Sequence, residues 1–172
     1  MWIVWYLCTQ SWIERDRDRS ETDGKIYYLH LSSVLTESQT LLHSINQVPL
    51  IERNAKSNSI SNNFEVRELV WGNFDAVKDL PVANIVLISD CINPIYGEDS
   101  YEALAKTVLW IGKRSKSIEV FLAYEHRDGG GKASQMLLKT FFDFLRPTMN
   151  VSLVYREDDI DIYLIQNIVT PS

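Results

Sequence analysis

Two apolar runs, NIVLIS at residues 84–89 and SIEVFLAYEH at 117–126, flank a single amphipathic stretch, SYEALAKTVLWIGK at 100–113. Continuous apolar runs of this length are the mark of strands buried on both faces. One helix between two of them is the connection that parallel strands require. The pattern extends in both directions. FEVRELVW alternates as a half-buried strand, and ASQMLLKTFFDFLR reads as a helix stopped by Pro147. NVSLVYRE and DIDIYLIQNI read as two antiparallel strands around an acidic turn. Upstream, IYYLHLSSVL is β-rich and ends at Thr36 and Glu37; SQTLLHSINQVPLIERNAKSN carries helical spacing, with Pro49 in the first turn of its second part. Ser100 is the expected cap of the central helix. The expected fold is therefore an α/β domain, with a mostly parallel sheet and an antiparallel edge.

At 172 residues, 45% of them hydrophobic, the chain has the size of one globular domain. Seventeen basic against 23 acidic side chains, with no long Lys/Arg run, argue against nucleic acid as a partner. Cys8 and Cys91 have neither metal-ligand spacing nor a disulfide framework, so no metal site is expected, and a reducing compartment suits the chain. The opening MWIVWYLCTQSWIERDRDRSETDG holds an apolar part too short to span a bilayer and lacks the flanks of a signal peptide. No membrane is expected. Residues 1–24 stand apart in composition as an atypical segment expected to pack weakly, and residues 25–172 form the domain proper.

In parallel α/β sheets ligands sit beyond the carboxyl ends of the strands. Three places in the sequence fall there: Glu37 after SSVLT, Ser89 and Asp90 after NIVLI, and Tyr124 to Arg127 after EVFLA. Asp90 also precedes a turn begun by Asn93 and Pro94, which an aspartate can cap. A receiver-like domain with Asp90 as phosphoacceptor would explain the alternation. It would also need an acidic cluster at an early strand end and a partner lysine motif, and neither is found.

VLTE, VPLIERNAKSNS, VRELVWGN, VLISDCI with YEALAKT, FLAYEHR and REDDIDIYLIQ occur in this order between residues 33 and 168. Together they resemble the seven-strand protein-lysine methyltransferases of the methyltransferase-like 21 group. The resemblance implies a class I, Rossmann-like fold and S-adenosylmethionine as methyl donor. It also implies a protein substrate, such as an ATPase like valosin-containing protein or a chaperone, and a cytoplasmic or nuclear setting. Residue by residue, it implies that Glu37 takes the ribose hydroxyls, that Trp71 covers the adenine and that Ser89 borders the cofactor. Asp90 and Tyr124 are implied as catalytic, with Asp90, Tyr96, Glu125 and Arg127 lining the path of the lysine.

The chain departs from the resemblance in two places. The aromatic position of the acidic-x-x-aromatic motif is Asn93, with Tyr96 displaced along the chain. Where a first strand and glycine-rich turn belong, RDRDRSETDGK has one glycine, so the domain is expected to be incomplete at its amino end; Trp2 to Leu7 and Ile26 to Leu31 are the candidates to fill the vacancy in the sheet. GGGK at 129–132 follows the fifth strand and is read as a flexible loop, not as a substitute. Alongside the enzyme stands a second expectation, a protein-binding domain that has lost transfer.

Overall fold

The computed structural model describes residues 3–7, 39–43, 48–49, 52–53, 64–89, 91–92, 98–126 and 132–168. Among them lie seven strands: β1 (Ile3–Leu7), β2 (Gln39–His43), β3 (Phe64–Glu68), β4 (Ile85–Ser89), β5 (Glu119–Glu125), β6 (Met149–Glu157) and β7 (Ile160–Asn167). Three helices accompany them: α1 (Phe74–Lys78), α2 (Glu98–Arg114) and α3 (Lys132–Leu145). All seven strands join in one sheet of order β3-β2-β1-β4-β5-β7-β6. The first five are parallel; β7 runs antiparallel to both β5 and β6.

The order reverses at β1. Its residues pair with β2 on one side, Ile3 opposite Gln39, and with β4 on the other, from Ile3 opposite Ile85 to Leu7 opposite Ser89. The expectation of a weakly packed amino-terminal segment therefore gives way for Ile3–Leu7, which fills the centre of the sheet. A five-residue apolar run suffices because a parallel strand bonded on both sides gains two ladders at once. The helical reading of SQTLLHSINQ is corrected as well: Gln39–His43 is strand, bonded between β1 and β3. Val48, Pro49, Glu52 and Arg53 are helical. The expected strand IYYLHLSSVL lies outside the described residues.

Strand alternation assigns the faces. Val86 and Ile88 of β4, Val120, Leu122 and Tyr124 of β5, and Asp161 and Ile165 of β7 are all buried; the register sets Val86 and Ile88 opposite Val120 and Leu122, and Val120, Leu122 and Tyr124 opposite Ile165, half-buried Tyr163 and Asp161. On this face Phe142 of α3 meets Tyr163 edge-on at 4.8 Å. Helix α2 begins at Glu98, two residues before the expected cap Ser100. The carboxamide of Asn167 donates to the carbonyls of Gly112 and Ser115 at 3.1 and 3.0 Å, closing the carboxyl end of α2.

The edge strand β6 leaves Leu153, Val154 and Tyr155 exposed, and its register against β7 shifts between Leu153 and Tyr155. Deleting residues 1–7 is expected to abolish the cooperative urea transition followed by circular dichroism. A dispensable leader would leave the midpoint unchanged.

Candidate functional site

Parallel pairing brings the carboxyl ends of the first five strands to one edge. Leu7, Ser89 and Ala123 stand in one row, and His43 and Glu68 end β2 and β3 on the same side. Trp71 follows β3 by three residues and is half-buried, packed against the core.

The turn that carries Trp71 is fixed by its neighbours. The Asn73 amide donates to the Val70 carbonyl at 3.1 Å, and Gly72 has φ +78°, the combination of a type II turn with glycine third. A Cβ on Gly72 would stand 3.2 Å from Cβ of Ala103, so glycine serves both the conformation and the contact. The Gly72 amide donates at 2.8 Å to the hydroxyl of fully buried Thr107, which donates in turn to the Ala103 carbonyl at 2.9 Å. Asn73 caps α1, Phe74 meets Trp110 edge-on at 5.3 Å, and Arg114 donates to the carbonyls of Val77 and Leu80, each at 2.5 Å. Helix α2 thus holds the Trp71 turn at three places along its length.

Ser89 ends β4, and its carbonyl accepts from the Cys91 thiol at 3.4 Å. On the neighbouring strand Ser89 is opposite Ala123, so Tyr124 lies one residue further along. The two share an edge but not a face: Ser89 falls in register with Ala123 and Glu125, whereas Tyr124 is buried on the helix-covered face. Glu125 is half-buried.

Glu37, Asp90, Tyr96 and Arg127 lie outside the described residues, as does Asn93. The second strand of the sheet is Gln39–His43, so the strand end expected at Glu37 falls at His43.

Beside Tyr124 lies a polar cluster not anticipated from the sequence. The Asp161 carboxylate, 1% exposed, accepts from Arg156 Nε at 2.6 Å and Nη2 at 2.8 Å, from the Tyr163 hydroxyl at 2.8 Å and from His126 Nε2 at 2.9 Å. The His126 ring in turn lies edge-on to Tyr124 at 4.9 Å, and its amide donates to the Asp159 carbonyl at 2.7 Å. The position of His126 just past the end of β5 suggests a solvent-exposed rim, and the structure corrects this. Its side chain is 12% exposed, and Nδ1 is buried without a partner. Alternation in IDIYLI would turn the isoleucines inward, yet Ile160 is exposed and Asp161 buried, because three donor side chains compensate the carboxylate there.

The Arg156 guanidinium holds the Asp161 carboxyl well below the usual carboxylate range, with His126 and Tyr163 acting in the same sense against the upward push of burial. Burial, then the bond to Asp161, pushes the Tyr163 phenol up to about 12.

The strand order and the arrangement of strand ends define the class I S-adenosylmethionine-dependent methyltransferase fold. Similar solved structures include cofactor-bound Rv0187 from MTB, at 10% identity and TM-score 0.61, with 96% of this chain and 72% of that one covered. SAH-bound methyltransferase PaMTH1 of Podospora anserina matches at 14% identity and TM-score 0.58, with 98% and 72% covered. An O-methyltransferase family protein from Burkholderia thailandensis matches at 10% identity and TM-score 0.58; this chain is covered over 96% and spans 50% of that one. No curated protein matches the sequence. The sequence model of the lysine methyltransferase family matches residues 29–146, most of the chain, and the chain belongs to that family.

A carboxylate whose folded pKa is depressed contributes stability that is present above its unfolded pKa, near 3.9, and lost as pH falls toward the folded value. Asp161→Asn is therefore expected to lower stability at pH 7 by about 1–3 kcal/mol. It should also flatten the fall in melting temperature between about pH 4 and pH 2. Calorimetric scans of both proteins across that range check this.

Proposed function

We propose that the chain is a protein N-lysine methyltransferase that uses S-adenosylmethionine, related in its motifs to valosin-containing protein lysine methyltransferase. The observation that carries this is the lysine methyltransferase match over residues 29–146, which contains the ends of β2, β3, β4 and β5. A protein substrate such as an ATPase or a chaperone is part of the proposal.

Bound S-adenosylmethionine supplies a methyl group on a sulfonium sulfur. The protein's share of the work is to hold a lysine amine unprotonated and in line with it. At neutral pH deprotonating an amine of ordinary pKa costs about 4.5 kcal/mol. Asp90, directly after β4, is the proposed group that orients the amine, with Tyr96, Glu125 and Arg127 along the substrate path; Tyr124, the other catalytic candidate, is buried on the opposite face of β5 from Glu125. Orientation of this kind is where most of the rate would come from.

The residues fit the cofactor unevenly. Trp71, held against α2 at the carboxyl edge, suits a purine, and Ser89, beside the end of β1, would border a methyl donor bound at that edge. Glu37 is the carboxylate proposed for the ribose. Since β2 begins two residues after Glu37 and reaches the carboxyl edge only at His43, Glu37→Gln is the variant that tests this role. A ten-fold loss of cofactor affinity gives the ribose to Glu37; an unchanged affinity moves the role to the His43 end of β2.

The poor fit is after β1: residues 8–23 contain no glycine, and Gly24 is the first. Close approach of backbone amides to the methionine end depends on glycine. This favours a second reading, in which the domain binds its protein partner without transferring a methyl group.

Titration with S-adenosylmethionine, and transfer of its tritiated methyl group to arrayed lysine peptides, separate the two. For the enzyme, Trp71→Ala is expected to weaken cofactor binding about ten-fold. Asp90→Asn should lower transfer about a hundred-fold at unchanged cofactor affinity. Absence of both cofactor heat and lysine label would sink the enzyme reading. Grafting a glycine-rich turn onto residues 8–24 is expected to raise cofactor affinity about a hundred-fold, the equivalent of two charge-assisted hydrogen bonds.

A further inference from the structure

Between α3 and the β6–β7 turn runs an open groove of about 510 Å³, whose lining includes His126, Leu138, Phe142, Asp158, Asp159 and Tyr163. One wall is apolar and aromatic: Leu138 and Phe142 are buried on α3, and the Phe142 ring meets Tyr163 at 4.8 Å. Lys139, Arg146 and Arg156 also line the groove, and each is already engaged. Arg156 is bound to Asp161, Lys139 to Asp143 at 2.5 Å, and Arg146 lies 3.7 Å from Asp143 with its guanidinium 5.6 Å from the Phe142 ring centre. The carboxylates of Asp158 and Asp159, which form the two-residue turn at the mouth, make no ion pair among the described residues. An aromatic wall ending in uncompensated negative charge suits a side chain with an aliphatic stem and a cationic head.

We propose that this groove docks an arginine- or lysine-bearing segment of the protein substrate, beside the acceptor lysine and distinct from it. The proposal rests on the protein-lysine reading and adds where the substrate is gripped. The sheet sets the spacing. Ser89 is opposite Ala123, and Ala123 is opposite Ile162, so the hairpin strand β7 stands two strand spacings from β4, about 10 Å. An extended chain covers that distance in about three residues. The docked cation therefore lies about three to five positions from the methylated lysine.

The test is a chemical-shift titration of the ¹⁵N-labelled chain with a capped hexapeptide alternating arginine and glycine, which offers cations without an acceptor lysine. A glutamate–glycine hexapeptide is the control. The amides of His126, Phe142, Asp158, Asp159 and Tyr163 are expected to shift saturably. The double substitution Asp158→Asn with Asp159→Asn should weaken binding about five-fold. Asp158 has φ +48°, a conformation that asparagine tolerates, so the fold is kept, and Asp159→Asn alone provides a second variant.

Asp75→Asn with Glu119→Gln removes the same charge far from the groove and should leave binding unchanged. Shifts mapping elsewhere, no shifts at all, or equal weakening by both double variants would overturn the proposal. The same sample titrated with S-adenosylmethionine keeps the two readings apart. A chain that docks the peptide and takes no cofactor loses the methyltransferase reading and keeps the groove, whereas cofactor binding with shifts elsewhere does the reverse.

Discussion

Two hydrogen-bonded ladders meet on Ile3–Leu7, and the rest of the molecule is arranged by that meeting. A parallel sheet with this order has its crevice where the strand order reverses, next to the strand bonded on both flanks. Without β1, β4 and β2 would be two edges facing a gap, and the row formed by Leu7, Ser89 and Ala123 would lose its first member. Five residues of backbone therefore set both the continuity of the sheet and the place where a ligand can lie across it.

Either side of that crevice the structure uses different means to hold its walls. On the β3 side the Trp71 turn and α1 are held by packing and by hydrogen bonds to side chains of α2: a glycine of positive φ, a buried threonine hydroxyl and the arginine that ends α2. On the β5 side the wall is electrostatic. Asp161 gathers Arg156, His126 and Tyr163, and the His126 ring braces Tyr124. A buried carboxylate with several donors is costly to disturb, because losing one partner strands the others in a region of low polarity.

The sequence displays some of this more plainly than the rest, for physical reasons. β4, β5 and α3 are legible because NIVLIS, VFLAY and the apolar period of α3 are decided by local burial. QTLLH suits a helical reading as well as a strand because its short apolar cluster fits either period, and only pairing with β1 and β3 settles it as strand. α1 leaves no signature in the sequence because five residues give no period to read. The Asp161 cluster was hidden by the opposite signal: hydrophobic alternation points Ile160 inward, while the register buries the acid and places its arginine five residues back on the partner strand. Of the candidate site, the strand ends Ser89 and Tyr124 and the position of Trp71 could be foreseen. That Ser89 and Tyr124 look to opposite faces follows only from the register.

The register shift in β6 bears on how copies of the chain behave in a crowded solution. The strand lies at the border of the sheet and shows Leu153, Val154 and Tyr155 to solvent, a run of β-forming side chains along peptide groups that pair with no further strand among the described residues. Left flat, such a border invites a second copy to add its own strand, and the addition can repeat without end. A bulge bends the strand and sharpens its twist, so that only a few consecutive amides could face a straight newcomer. The irregularity between Leu153 and Tyr155 thus guards this border of the sheet against fibre growth.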